Sequence, residues 1–226
     1  MTKRRNRIYE PVTVPFSATP TGEPLSVADW ANPCVWTERM LTTLHTGVRG
    51  GKWHTLIDKV FSPINLFAAC RKVTGKGGSA GVDHQSAKDF EANSREELDR
   101  LHIALRDDSY VPQAVRRVWI PKPGSNEQRP LGVPTVRDRV VQTALLNVLE
   151  PIFDVTFSDN SFGFRRGRSC QMALEHVESL LEAGYVHVVD ADLKGYFDTI
   201  PKDRLLAMVG EKISDRRVLR MVGRRA

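Results

Sequence analysis

The chain has 226 residues, a formal net charge of +6 and a pI of about 9.4, which favours a polyanionic partner although it also suits a merely soluble protein. Its 41% apolar and 27% charged residues are ordinary for one large globular domain or two small ones. No apolar run reaches about 18 residues, so no membrane span is expected, and the basic N-terminus lacks the apolar stretch of a secretory signal. The few, widely spaced cysteines, Cys34, Cys70 and Cys170, are typical of reduced thiols in a cytoplasmic protein.

The N-terminal third of the chain divides into an irregular part and a helical part. Residues 1–25 are rich in Pro, Thr and Ser with basic side chains, so we expect them to be poorly ordered. Residues 26–74 carry a helical pattern, in which Ser62 is expected as an N-cap and Pro63 as the first helical residue. The glycine-rich stretch 75–83, GKGGSAGVD, predicts a flexible joint and the best boundary in the sequence.

The middle of the chain predicts a β-hairpin between two amphipathic helices. Ser94 and Glu97 have the spacing of a capping box before the first helix. Residues 115–134 contain two short apolar stretches separated by Pro-Gly-Ser-Asn, which is typical of two strands joined by a tight turn. Thr135 can cap the second helix. The apolar stripe of that helix is Val141, Leu145, Val148 and Ile152.

The last third predicts helix, strand and helix. Ser169 is placed to cap the first helix, and Gly184 lies at its C-terminal end. The apolar run 185–193, YVHVVDADL, predicts a buried strand, and Pro201 is expected in the first turn of the following helix. The whole order indicates a mixed α/β (α+β) fold in which helices pack on a sheet.

Two motifs resemble functional sites without meeting their requirements. GVRGGKWH is similar to a phosphate-binding loop, but Thr46 stands where the first glycine is needed and Trp53 follows the lysine. The pair Asp107 and Asp108 falls at the end of a predicted helix, so a solvated helix end is the preferred interpretation.

Three carboxylates interrupt the apolar stretch 188–200, VVDADLKGYFDTI: Asp190, Asp192 and Asp198. Burying a charge is costly unless something pairs with it. A carboxylate at the end of a buried strand, beside a glycine turn, is well placed to hold Mg²⁺, which prefers hard oxygen ligands. The alternative is that Asp192 pairs with Lys194 or caps the turn, and this segment alone leaves both interpretations open.

Several segments, in order and at matching distances, together resemble the first half of a group II intron reverse transcriptase. They are IPKPGSNEQRPLGVPTVRDRVVQ, FSDNSFGFRRGRS, VVDADLKGYFDTI and, before them, GSAGVDHQSAKDFE. The resemblance covers roughly residues 53–222. It implies a right-hand polymerase fold with a helical N-terminal extension over 26–74, fingers over 75–168 and the start of the palm over 169–226.

The resemblance also implies roles for individual residues. Asp192 is similar to the first catalytic aspartate of the palm, a Mg²⁺ ligand, and Leu193 would add its backbone carbonyl. Phe197 matches the aromatic residue that rejects a 2′-hydroxyl on the incoming nucleotide. Lys122 and Arg129 match the residues that hold the nucleotide triphosphate, since arginine binds phosphate bidentately and lysine acts as a point charge. Asp190 and Asp198 are expected to be structural.

Basic residues of the same region are expected to contact RNA. From position 116 to position 168 there are nine Lys or Arg and five Asp or Glu. The family usually has a proline at position 166, where this chain has arginine, which affects the stiffness of the loop more than its charge. The expected nucleic-acid-binding residues are Arg116, Arg117, Arg165, Arg166 and Arg168.

The implied function is RNA-templated DNA synthesis together with help in folding and splicing an intron RNA. The implied partners are intron RNA, template–primer and dNTP. The 226 residues lack the second motif of an aromatic residue, a small residue and two aspartates, so we expect the chain alone to be inactive. A second polypeptide could complete the palm, or the chain could be a truncated gene product. The alternatives are a non-enzymatic RNA-binding module and another palm-like two-metal enzyme such as a nucleotide cyclase, against which the fingers motifs argue.

Overall fold

The structure is a computed structural model that describes residues 27, 31–33, 35–48, 50–121, 124, 126–193 and 196–224, apart from the side chains at positions 197 and 198. The N-terminal residues 1–25, expected to be poorly ordered, lie outside the described residues, as do Cys34, Lys122 and Lys194. Across the described part, none of the helices is both long and apolar enough to cross a bilayer.

Helices form most of the described fold, and the described strands form one β-hairpin between α5 and α6. In chain order the elements are α1 (Glu38–Thr46), α2 (Ile57–Val60), α3 (Pro63–Lys76), α4 (Ala87–Ala92), α5 (Ser94–Arg106), β1 (Arg116–Pro121), β2 (Gln128–Val133), α6 (Val136–Asp154), α7 (Cys170–Glu182), α8 (Tyr196–Thr199), α9 (Lys202–Lys212) and α10 (Arg216–Gly223). The mixed helix-and-hairpin composition agrees with the predicted α+β class.

Local capping signals begin three helices where the sequence predicts them. The Thr135 hydroxyl accepts a hydrogen bond from the Asp138 N–H at 3.1 Å, and the Ser169 hydroxyl accepts one from Met172 at 3.1 Å. Pro63 is the first residue of α3, where its missing N–H costs nothing. These starts are confirmed because a cap needs only residues within one helical turn.

The predicted capping box at Ser94 and Glu97 is wrong. The box lies one helix earlier, where the Asp89 N–H donates to Ser86 Oγ and the Ser86 N–H donates to Asp89 Oδ2, both at 3.1 Å. Helix α5 begins at Ser94 after Asn93, without a side-chain cap. Ser94 is already helical, so its hydroxyl cannot take the place of the residue before the helix.

Helices α3 and α6 pack against each other at the centre of the core. The stripe predicted for α6 faces inward, since Val141, Val148 and Ile152 are buried and Leu145 packs at their edge. Leu66 of α3 is fully buried against this cluster. Truncating such a leucine to alanine typically costs about 2–5 kcal/mol, so this contact contributes strongly to stability.

A buried polar network links the residues before the glycine-rich joint to α6. The Asn147 side-chain amide donates to Asn65 Oδ1 at 2.9 Å, and the Asn65 amide donates to the Ala144 carbonyl at 3.0 Å. The Trp36 indole N–H donates to the Asn147 carbonyl at 3.0 Å. Buried polar groups are tolerated when paired in this way, and they fix one packing arrangement of the N-terminal segment on α6.

The predicted hairpin is confirmed. β1 and β2 pair antiparallel, with a register that runs from Arg116 opposite Val133 to Pro121 opposite Gln128. Gly124 lies in the connection with φ of +75°, a conformation that favours glycine.

The chain after α9 returns to the N-terminal helices. Trp53 and Ile213 form an isolated parallel β-bridge. The Asp215 carboxylate then accepts hydrogen bonds from the N–H groups of Leu56 and Ile57 at 2.8 and 2.9 Å, and from two N–H groups in the first turn of α10 at 3.0 and 3.3 Å. One side chain therefore caps the starts of both α2 and α10, which lie far apart in sequence.

The aspartate pair ends α5 and both residues are exposed, as predicted, but each also pairs with an arginine. Asp107 is paired with its neighbour Arg106, at 2.9 Å. Asp108 accepts a hydrogen bond from Arg220 and lies 3.7 Å from Arg217 Nε, so it helps to hold α10 against the end of α5.

The buried strand predicted over 185–193 is wrong for this structure. The segment has no regular secondary structure, and Val188 and Val189 are 80% and 92% exposed. A strand needs a neighbouring strand for its backbone hydrogen bonds and a layer to cover its apolar side chains. Within the described residues the sheet consists only of β1 and β2, and neither reaches this segment. The expected first-turn position of Pro201 also shifts by one residue, since it is the N-cap of α9.

Candidate nucleic-acid and nucleotide site

The hairpin presents the predicted basic residues on both of its faces. Directly opposed residues of an antiparallel pair share a face. Arg129, opposite Ile120, is exposed close to the turn, whereas exposed Arg117, opposite Gly132, lies on the other face. Arg116 is half-buried on the Arg129 face but four residues from Ile120, about 13 Å along the strand. Arg129 therefore lies near the turn of the hairpin, whereas Arg116 and Arg117 lie near the opposite end of its strands.

Arg165 is held inside the protein by Asp154. Its Nε and one terminal nitrogen donate to the two carboxylate oxygens at 2.8 and 3.2 Å, and the other terminal nitrogen donates to the carbonyls of Ser158 and Ser161 at 2.8 and 3.0 Å. The two charged side chains are 8% and 11% exposed. The hydrogen bond that Arg165 donates to Asp154 raises the pKa of Arg165, so the guanidinium stays charged. This pair braces the loop 158–168 onto the end of α6.

Arg166 forms a second ion pair with α6. Its Nε lies 2.8 Å from Glu150, and its side chain keeps 30% of its surface exposed. Burial raises the pKa of Glu150, against the opposing effect of the Arg166 and Lys72 charges. Burial, followed by the charge of Arg166, lowers the pKa of Lys72. Two cations thus surround one partly buried carboxylate.

Arg168 closes the same loop on itself. It donates to the carboxylate and to the carbonyl of Asp159 at 3.2 and 3.1 Å, and its guanidinium lies 5.5 Å from the centre of the Phe162 ring. Its side chain is 11% exposed. The structure thus brings Arg165, Arg166 and Arg168 into one braced loop, in which Arg166 keeps the largest exposed fraction. Contacts of all three with RNA stay predictions.

Asp192 lies in the irregular segment before α8 and is exposed. Its Oδ1 accepts a hydrogen bond from the N–H of the next residue, Leu193, at 2.9 Å. Asp190, two residues earlier, is exposed as well. The backbone of Phe197 belongs to α8, but its side chain is outside the described residues, as is all of Lys122. The structure therefore describes one candidate carboxylate and leaves its distance to these two partners undefined.

The donors in this segment match Mg²⁺ in chemical type but do not form a complete site. Among the residues that the structure describes, no group of three or more His, Cys, Asp or Glu side chains is arranged to hold a metal ion. Mg²⁺ keeps several waters and often uses only one or two carboxylates plus substrate phosphates. The exposed carboxylate of Asp192 and the Leu193 carbonyl are hard oxygen donors of that kind, so the donor set fits in part.

Two features escaped prediction from the sequence. Trp119 is 54% exposed on the same hairpin face as Arg117, which strand alternation could have indicated. The double cap by Asp215 joins segments about 160 residues apart, as the separations of 159 and 158 residues show. Because these residues are so far apart in sequence, no local sequence signal could reveal the double cap.

Part of the chain is similar to known proteins. Residues 120–215, from the hairpin to the bridge at Ile213, match the family described as "Reverse transcriptase (RNA-dependent DNA polymerase)". The chain is 36% identical over 150 residues to the group II intron-encoded protein LtrA of Lactococcus lactis subsp. cremoris, an alignment that covers 66% of this chain and 24% of LtrA. Over residues 120–215 the chain is thus similar to reverse transcriptases, and its relatives include a group II intron-encoded protein and intron maturases.

Further relatives agree with this family. The protein YkfC of Escherichia coli K12 is 37% identical over 173 residues, covering 74% of this chain and 45% of YkfC. The mitochondrial nuclear intron maturase 1 of Arabidopsis thaliana is 34% identical over 89 residues, covering 39% of this chain and 12% of that protein. The chain thus spans about a quarter of LtrA and less than half of YkfC. The reverse-transcriptase match includes β2, the braced loop and Asp192.

Proposed function

We propose that the chain provides the fingers and the start of the palm of a group II intron-type reverse transcriptase, whose reaction is Mg²⁺-dependent synthesis of DNA on an RNA template. The observation that carries this proposal is that the matched stretch, 120–215, includes both exposed Arg129 on the hairpin and the exposed carboxylate of Asp192. In this proposal residues 26–74 are the N-terminal extension, 75–168 the fingers and 169–226 the beginning of the palm.

The proposed nucleotide site combines the hairpin with the Asp192 segment. Arg129 and Lys122 would hold the triphosphate of the incoming dNTP, one bidentately and one as a point charge. Phe197 would exclude a ribose 2′-hydroxyl. Asp192 and the Leu193 carbonyl would hold Mg²⁺, which when bound stabilises negative charge on the reacting oxygens.

The proposal requires further palm strands beside the Asp192 segment. Its apolar side chains are largely exposed, as Val188 and Val189 show at 80% and 92%. Exposed apolar chain with unpaired backbone groups is a template for strand addition. Strands on the same or a second polypeptide would cover it and bring the companion carboxylates.

A second candidate function is RNA binding without catalysis. The observation in its favour is that the β1–β2 pairing and the braced loop are formed while the Asp192 segment is irregular. The exposed side chains of Arg117 and Arg129 can contact phosphates without help from Asp192. In this function the chain would bind intron RNA or template–primer and would support splicing without synthesising DNA.

RNA affinity tests the part that both functions share. The 226-residue chain is titrated into a labelled structured RNA at several salt concentrations, with fluorescence anisotropy as the readout. The logarithm of the association constant should fall linearly with the logarithm of salt, with a slope of about −0.9 per phosphate contacted on a duplex. Binding that is absent, or independent of salt, would contradict both functions.

Primer extension separates the two functions. We expect the chain alone not to extend a primer, because losing companion carboxylates should cost at least about a thousandfold in rate. In a chain extended by the downstream palm of a family member, Asp192→Ala should abolish synthesis and leave RNA affinity nearly unchanged. Asp190→Ala is the matched control and should retain synthesis. Full activity of the Asp192→Ala variant would exclude the metal role, and inactivity of the extended wild type would favour the binding function.

A further inference from the structure

One face of the hairpin is exposed to solvent and is not part of the proposed nucleotide site. This face, called the Trp119 face, consists of the alternate residues that point away from the half-buried side of β1, with their partners on β2. Its members are Arg117, Trp119, Pro121, Gln128, Pro130 and Gly132. All of them are exposed, in contrast to half-buried Val118 and Ile120 on the opposite side of β1.

The Trp119 face brings together the indole ring of Trp119, the ring of Pro130 and the guanidinium of Arg117. Pro130 lies directly opposite Trp119 in the strand register, so their Cβ atoms are about 5 Å apart. Arg117 stands two residues before Trp119 on the same strand and the same face, about 7 Å away. Trp119 keeps 54% of its surface exposed, although tryptophan is on average highly buried. Trp119 and Pro130 therefore form an apolar platform with the cation of Arg117 at one end.

The charge of the face suits a polyanion. Its six residues include one arginine and no acidic residue, and the segment 116–168 has nine basic and five acidic residues. Arginine can bind a phosphate oxygen through its fork of N–H donors. Every nucleobase has a π-face that stacks on an aromatic ring, whatever the sequence.

The size of the face argues against a folded protein as its occupant. Two strands of six residues cover on the order of 200 Å², taking about 10 Å of width and 20 Å of length. A stable protein interface buries about 800 Å² on each partner. An unpaired nucleotide, by contrast, needs only one ring and one cation.

We propose that Trp119 is a base-stacking residue for unpaired RNA and that Arg117 contacts the adjoining phosphate. This inference rests on the proposed RNA-binding function, and it names the part of the RNA that the hairpin takes. Paired RNA keeps its bases inside the helix, so the Trp119 face would select single-stranded regions such as a template ahead of the primer end or an intron loop.

The test uses two single-stranded probes of equal length, an oligoadenylate and an abasic oligoribose phosphate that keeps the phosphates and lacks the bases. The wild-type 226-residue chain should bind oligoadenylate more tightly than the abasic probe. Trp119→Ala should weaken oligoadenylate binding roughly 5- to 150-fold and leave abasic binding unchanged, which removes the preference. Trp119→Phe should keep most of the preference, because phenylalanine also stacks and also suits a strand.

Two controls separate stacking from folding and from charge. Leu131→Ala changes an exposed residue on the opposite face of the hairpin, 46% exposed, and should leave both affinities as in the wild type. Arg117→Ala should weaken both probes to a similar extent and reduce the salt slope by about 1. Far-ultraviolet circular dichroism of each variant checks that the fold is kept.

The outcomes distinguish the two proposals. If the wild type binds neither the two probes nor a structured RNA, both the RNA-binding function and this inference are refuted. If the wild type binds RNA but Trp119→Ala keeps its preference for oligoadenylate, the stacking role alone is overturned. If Trp119→Ala instead loses binding to a partner protein while RNA affinity is unchanged, the face is a protein contact and the stacking role is equally overturned.

Discussion

Replacing Arg165 with alanine should destabilise the protein far more than replacing Arg168, although both arginines belong to one motif. The change leaves the Asp154 carboxylate, 11% exposed, without the guanidinium that donates to it at 2.8 and 3.2 Å. Removing one partner of a buried pair typically costs about 3–5 kcal/mol, because a charge is left buried and unpaired. Domains of this size have only about 5–15 kcal/mol of stability, so the loss should be a large part of the total.

Arg168→Ala is the matched control. Its carboxylate partner Asp159 is 97% exposed and stays hydrated after the change, so we expect a cost of about 0–1 kcal/mol for the ion pair. Urea unfolding followed by circular dichroism gives both free energies. The double replacement of Arg165 by Met and Asp154 by Leu should recover part of the loss, because it removes both buried charges together. An Arg165→Ala variant with wild-type stability and a selective loss of RNA affinity would refute the structural role assigned to this arginine.

Three further changes probe other parts of the fold. Asp215→Ala removes the cap of two helix starts and should lower the free energy of unfolding by about 1–4 kcal/mol. Asp203→Ala, which changes an acidic residue in the first turn of α9, should lower that free energy by less. Urea titration measures both changes. Burial raises the pKa of Glu150 above its ordinary value of 4.5, so the folded state holds that proton more tightly than the unfolded chain. The stability of the wild type relative to Glu150→Gln should therefore fall as pH rises from about pH 4.5 through the raised pKa, and a flat or rising difference would contradict this sign. Cys70 is 3% exposed and burial raises the pKa of its thiol, so in a Cys34→Ser background a thiol reagent should modify exposed Cys170 first, as mass spectrometry will show.

Much of the fold could be predicted because it depends on neighbours in sequence. Thr135 caps α6 through a residue three positions away, and the stripe of α6 follows from helical periodicity. The hairpin required only two short apolar strands around a turn. The capping box at Ser94 failed for a local reason, since an equivalent Ser86-x-x-Asp89 pattern lies eight residues earlier and begins its own helix.

The candidate site was less predictable because it depends on which partner each charge finds. Arg165 and Arg166 are similar in sequence context, yet one donates to a buried carboxylate while the other keeps 30% of its side chain exposed. The distinction arises from the position of the loop against the end of α6. Contacts of Arg116, Arg117 and Arg129 with RNA or nucleotide, like the roles of Lys122 and Phe197, stay predictions.

The sequence by itself indicated the resemblance to group II intron reverse transcriptases, the starts of three helices, the amphipathic helices and the presence of the hairpin, because these features depend on the order and spacing of residues close together in the chain. The tertiary structure decided that Asp215 joins two distant helix starts, that Arg165 braces its loop and that the segment around Asp192 is exposed. These outcomes depend on free energies of burial and pairing between residues far apart in the chain. A strand pattern in particular becomes a strand only where another strand is present to accept its hydrogen bonds.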